Sequence, residues 1–144
     1  MDDDAVDELT EEITSLVYSL GHSWDAFWDA RVRELDVGLT GRQATALWMT
    51  REPLSMGELS TRMSCDPSSA TGIVDRLERK GLVTRAADEN DRRAKRVQLT
   101  PEGRRLLRRI ERTVMASRPS IAALTDAERR DLRDLLTKAM KGLE

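Results

Sequence analysis

Cysteine and histidine occur once each in the 144 residues, as Cys65 and His22. One thiol excludes an internal disulfide and fits a reducing compartment, which points to the cytoplasm. A lone histidine has no companions for a metal cluster and no arrangement for nucleophile–base catalysis. No glycine-rich loop of the phosphate-cradling kind is present. No apolar run approaches the roughly 18 residues of a membrane span, and the first residues are acidic, unlike a basic, apolar signal sequence. Internal repeats and low-complexity linkers are also missing. The expectation is therefore a non-enzymatic protein without cofactor or metal, and a length suited to one domain with its own core.

What is plentiful is charge, and it is unevenly placed. Residues 1–36 hold 2 basic and 11 acidic side chains, a net of −9, whereas residues 76–112 hold 13 basic and 6 acidic, a net of +7. The overall −2 hides a basic middle able to attract a polyanion.

That basic block overlaps the most informative stretch, Leu54 to Thr100. Ser55 and Glu58 have capping-box spacing, with Leu54 and Leu59 placed as a hydrophobic staple, so a helix opens there and ends near Ser64. Asp66 is a good N-cap and Pro67 a good first helical residue; this second helix runs to Lys80, where Gly81 terminates it. So short a turn between two helices gives a helix-turn-helix. Residues 83–87 and 94–99 are short enough for strands, and the Asp/Asn-rich 88–93 between them is a turn. A hairpin directly after a helix-turn-helix is a wing.

The run resembles the MarR family of winged-helix transcription regulators. The resemblance is carried by Leu39-Thr40 with Gln43, by residues 54–59, by Asp66-Pro67-Ser68-Ser69-Ala70-Thr71, by Val74 to Val83 with Arg85, and by Asp91-Arg92-Arg93, Val97, Leu99-Thr100 and Glu102-Gly103. No single piece is specific; their order and spacing together are. The fold expected is mainly α with a small β-wing. It is a single domain over 1–144, with the winged helix-turn-helix at 39–100 and dimerisation helices at 5–36 and 101–144.

The flanks support that division. Val6, Leu9, Ile13, Leu16, Val17 and Leu20, continued by Trp24, Phe27, Trp28, Val32 and Leu35, form one stripe at helical period. Read as one long helix, its first part packs on another subunit; read otherwise, it is two helices broken near Gly21. Thr40 with Gln43 opens a helix to about Arg51 that buries Ala44, Leu47 and Trp48. Thr100-Pro101 starts a helix to roughly Ser117, with Leu106, Leu107, Ile110 and Val114 inward and Pro119 ending or kinking it. After the Thr125–Glu128 capping box, a last helix carries Leu132, Leu135, Leu136, Met140 and Leu143 as a buried stripe. Leftover stripes at both chain ends suggest a shared interface, and the resemblance implies a two-fold homodimer built from both termini.

On the helix from Pro67 to Lys80, Ala70, Ile73, Val74 and Leu77 cluster on one side. The other presents Ser68, Gly72, Asp75, Arg76 and Arg79, flanked by Ser69 and Thr71. A small, polar, partly basic face suits the major groove. Gly72 fits either close approach to DNA or tight packing on a neighbouring helix. Ser68, Ser69 and Thr71 can donate to phosphates or base edges, and Arg76 is the best reader of guanine. Asp75 either pairs with Arg79 or orients Arg76. In the wing, Asp91 and Arg93 match the family's Asp-x-Arg, which implies that Arg93 enters the minor groove and Asp91 holds an arginine; Arg85, Arg92 and Lys95 are expected at phosphates. Arg104, Arg105, Arg108, Arg109 and Arg112 read as a solvated face paired with the acidic first helix of either subunit, with phosphate contact near Arg104 the alternative.

Tyr18, His22, Trp24, Phe27, Trp28 and Trp48 gather the aromatics. They are either core or, for Tyr18, His22, Trp24, Trp28 and Trp48, the walls of a pocket for the small aromatic effector that the resemblance implies. The reading is a sequence-specific DNA-binding transcriptional regulator, a homodimeric repressor on a double-stranded, pseudo-palindromic operator, released by such an effector, with no membrane partner. The alternatives are a winged helix that binds protein, or a thiol-based redox sensor using Cys65, whose position otherwise matches an apolar staple residue near Ala70.

Overall fold

Side-chain caps set where the helices begin. The computed structural model describes residues 7–88, 90, 91, 94–117 and 119–142. Asp7 caps α1 (Glu8–Glu34). Reciprocal capping boxes open α2 (Gly41–Met49) through Thr40 and Gln43, and α3 (Met56–Arg62) through Ser55 and Glu58. Asp66 accepts from the Ser69 amide to open α4 (Pro67–Arg79). The chain then leaves α4 through Gly81 at φ +70°, a left-handed conformation in which glycine carries no Cβ penalty. Strands β1 (Val83–Ala87) and β2 (Lys95–Leu99) pair antiparallel, with Val83 opposite Leu99 and Ala87 opposite Lys95. Leu54 adds a two-bond bridge to Val97 on the other edge of β2. Then come α5 (Pro101–Ile110), α6 (Pro119–Ala122) and α7 (Asp126–Lys141), the last opened by the Thr125–Glu128 box. The order is that of a winged helix-turn-helix between two long helical flanks.

The core lies in the lobe made by α2 to α5 and the second half of α1. Leu47, Leu59, Val74, Leu77, Val97 and Ile110 are essentially solvent-free, and Trp28 and Val32 bring α1 into the same cluster. Trp28 also donates its indole N–H to the Gly41 carbonyl at 3.1 Å, while Asp29 accepts from the Gly41 amide at 3.1 Å. These two bonds seat α1 on the head of α2. Thr100 ties the wing to α5: its hydroxyl donates to the Gly81 carbonyl at 2.6 Å and accepts from the Gly103 amide at 3.0 Å.

One open alternative closes in favour of the long helix, and two expectations change. α1 is one helix of 27 residues, not two broken near Gly21, and the space where a Gly21 Cβ would stand is open. The helix after the wing is not uniform: after Ile110 it widens into a π-helical turn, Glu111–Met115, which keeps Val114 fully buried while Glu111 reaches Arg51 at 3.7 Å. The stripe on α7 is not buried among the described residues: Leu135 and Met140 are exposed and Leu132 is half-buried, with Ile121 of α6 bordering the same face. Val6 and Leu143 lie outside the described residues. Among the described residues no helix is long and apolar enough to cross a membrane.

Candidate nucleic-acid interface

α4 turns Ala70, Ile73, Val74 and Leu77 into the core, as their spacing predicts, so its polar face stands outward. On that face Ser68, Ser69, Thr71, Asp75, Arg76 and Arg79 are exposed and Gly72 is half-buried. Nothing lies within 4 Å of where a Gly72 Cβ would be, which rules out packing on a neighbouring helix as the reason for a glycine there. The Arg76 guanidinium carries no ion pair or hydrogen bond among the described residues, and Arg79 only reaches back to the Asp75 carbonyl at 3.3 Å. The helix thus presents two exposed guanidiniums beside a gap in its own side-chain cover.

The small hydroxyls are less available than their sequence suggests. Ser69 donates to Asp66 Oδ2 at 2.6 Å, Ser68 donates to Oδ1 of the same carboxylate, and Thr71 donates to the Pro67 carbonyl at 2.9 Å. Their hydrogens are used within the first turn, so only acceptor lone pairs face outward. Hydrogen bonds from Ser68 and Ser69 hold the Asp66 carboxyl well below the usual carboxylate range.

Arg85 departs furthest from expectation. The sequence suggests a phosphate contact; instead its guanidinium pairs with Asp75 at 2.7 Å and with Glu78, leaving the side chain only 23% exposed. Its amide also donates to Glu78 at 3.2 Å. The Asp75 carboxylate therefore goes to the wing strand rather than to Arg79 or Arg76. The physical reason is register: Arg85 sits opposite Val97, on the hairpin face that packs toward α4. Arg96, which the sequence reading does not single out, pairs with Asp88 and with Glu58 at 3.1 Å. Strand alternation places it on the opposite hairpin face from Arg85, a signal present in the register of 83–87 against 95–99. Lys95 is exposed with no ion pair among the described residues, and Asp91 is exposed. Arg92 and Arg93 lie outside the described residues.

The five residues expected to wall an effector pocket are not brought together. Tyr18 and His22 stack at 4.8 Å on an exposed stretch of α1, and Trp28 is spent on the core. Trp48 is half-buried under the Arg51 guanidinium, 4.3 Å from its ring, rather than fully buried as expected. Trp24 is half-buried beside Trp28. A cleft of about 440 Å³ does open between α1, α2 and the end of α3, but of the five only Trp28 lines it, with Asp25, Arg42, Thr45 and Arg62 among its other walls. Cys65 is half-buried, and its backbone is bonded to Ser60. No group of three metal-binding side chains occurs among the described residues.

Residues 39–95 match the MarR family model. A protein assigned to regulation of the hcr operon in Thauera aromatica is 41% identical over 86 residues, which are 59% of this chain. The winged-helix segment, residues 39–95, belongs to the MarR family. The chain spans about half of that relative's length, 52%. Among solved MarR-like structures, CouR from Rhodococcus jostii RHA1, bound to p-coumaroyl-CoA, superposes with a TM-score of 0.76 at 29% identity, covering 91% of this chain and 93% of that one. A mutant MarR from E. coli in complex with operator DNA superposes at 0.67 and 26% identity, covering 95% and 99%. Both likenesses extend through the flanking helices as well as the winged-helix lobe of this chain.

Proposed function

We propose that this MarR-family chain is a sequence-specific DNA-binding transcriptional regulator that acts in the cytoplasm as a homodimeric repressor on a pseudo-palindromic operator. The observation that carries it is the outward face of α4, with Arg76 unpaired among the described residues, Arg79 exposed and open space over Gly72. A helix so dressed fits the major groove, where base edges are distinguishable, and the wing beside it fits the backbone and minor groove. The operator-bound MarR neighbour supports the same placement. The exposed leucines of α1 and α7 are the surfaces for a second copy, and a two-fold dimer asks for two half-sites about one helical turn apart.

Release by a small effector is part of the proposal. CouR holds an aromatic acyl thioester, and the cleft beside Trp28 offers Arg42 and Arg62 to an anionic ligand. Selecting bound duplexes from random or genomic DNA tests the central reading. A two-fold motif supports it; binding that ignores sequence refutes it. Titrating aromatic acids against the operator complex tests release, with loss of the response in Arg62→Ala expected.

A further inference from the structure

We propose that Arg96 is a positioning residue for DNA binding, which locks the wing onto the head of α3 instead of touching DNA. The inference rests on the DNA-binding reading above. A two-stranded hairpin has little stability of its own, yet the wing must hold a fixed pose relative to α4 if both are to meet one duplex.

Arg96 supplies that fixation by three contacts from one planar fork. Its Nε donates to Asp88, at the root of the wing turn. Its Nη1 reaches Glu58 at 3.1 Å and the Pro53 carbonyl at 3.3 Å. Glu58 is already fixed, because the same carboxylate oxygen accepts from the Ser55 amide at 2.7 Å in the α3 capping box. Asp88 is enclosed, its side chain 9% exposed, and it also accepts from the Asn90 amide at 2.7 Å inside the turn. The chain of contacts therefore runs from the helix cap, through Arg96, into the turn. On the other hairpin face Arg85 does the same toward α4 through Asp75 and Glu78. Each guanidinium faces two carboxylates, so neither adds net positive charge for a phosphate to meet.

The test separates positioning from contact. Arg96→Met, Arg96→Lys and Lys95→Ala are compared with wild type on operator over a salt series, alongside hydrogen exchange of the wing amides. Expected is a loss of operator affinity of at least about tenfold in Arg96→Met with the salt slope unchanged, because no phosphate partner is removed. Lys95→Ala should lower the slope by about 1 for each lost phosphate contact. Arg96→Lys should not rescue, since an ammonium keeps the charge but not the fork. Exchange at the Asp88 and Ala94 amides, which close the turn, should rise in Arg96→Met and equally in Asp88→Asn. A reduced salt slope in Arg96→Met, or full rescue by Arg96→Lys, overturns the proposal. If wild type binds no DNA sequence, the regulator reading fails by itself, and unchanged wing exchange in both Arg96→Met and Asp88→Asn overturns the clamp independently.

Discussion

The lobe and the two helices that leave it treat their apolar residues in opposite ways. Within the lobe, Leu47, Leu59, Leu77 and Ile110 are fully buried, and the wing and helices are joined by named hydrogen bonds. On α1 before Gly21, Leu9, Ile13, Leu16, Val17 and Leu20 are all exposed, Leu16 at 62%; on α7, Leu135 and Met140 reach 65% and 64%. Single exposed leucines are ordinary, but rows of them at helical period on two arms are unfinished surface. On the proposed function, the lobe is a region complete in itself and the arms are the surface for another copy. The distinction is thermodynamic, because stability in the lobe should not depend on concentration, while order in the arms should.

The strongest break lies in the lobe. Leu77→Ala, in a site with no exposed surface, should cost about 2–5 kcal/mol at every protein concentration. Gly103→Ala should be comparably severe: a Cβ there would stand 1.9 Å from the Leu82 carbonyl oxygen, and backbone cannot step aside cheaply. Urea unfolding monitored by helix signal checks both. Next in size is a break of the arms. Leu16→Glu with Leu136→Glu, or deletion of residues 1–20, should yield monomers or aggregates while the lobe stays folded. Light scattering gives the mass, and a well-folded dimer of the truncated chain would remove the arms from the interface.

The contrast also explains which features are legible in the residues. Caps are local, so Thr40–Gln43, Ser55–Glu58, Asp66 and Thr125–Glu128 announce their helices within a residue or two. The core face of α4 follows from its period. Ion pairs between elements are not local. Nothing in the spacing from Asp75 to Arg85, or from Glu58 to Arg96, says that they meet until the hairpin register is known. Arg85 therefore looks, in the sequence, like a free cation. The aromatic residues mislead for a related reason: Trp28 shares the helix with Tyr18 and the stripe with Trp24, but only the part of α1 that reaches Gly41 is buried.

Smaller effects sharpen the account of the α4 face. Arg76→Ala should cost about 1–3 kcal/mol on the operator and relax preference at one base position per half-site, without changing the unfolding midpoint, because the side chain supports no fold contact among the described residues. Binding to operator and to a scrambled duplex separates the outcomes. Equal weakening of both would make Arg76 a phosphate contact.

The smallest expected effect is a pH dependence located at the head of α4. The Asp66 carboxylate accepts hydrogen bonds from the Ser68 and Ser69 side chains and the Ser69 amide, which favour its charged form and lower its pKa from the ordinary 3.8. A carboxyl whose folded pKa is depressed binds fewer protons folded than unfolded, so its contribution is complete above the ordinary value and declines as pH falls toward the lowered one. Glu58, Asp88 and Glu128 are shifted in the same direction, by their own caps and by Arg96, so acid weakening of wild type alone identifies none of them. Asp66→Asn isolates the effect, since an amide can still cap α4 but does not titrate in this range. The difference in unfolding free energy between wild type and Asp66→Asn should be constant from neutral pH to the ordinary aspartate range and shrink below it, measured by urea unfolding down to about pH 2. Parallel curves throughout would show that the charged form has no special hold on Ser68 and Ser69, and those two hydroxyls would return to the face that α4 offers to DNA.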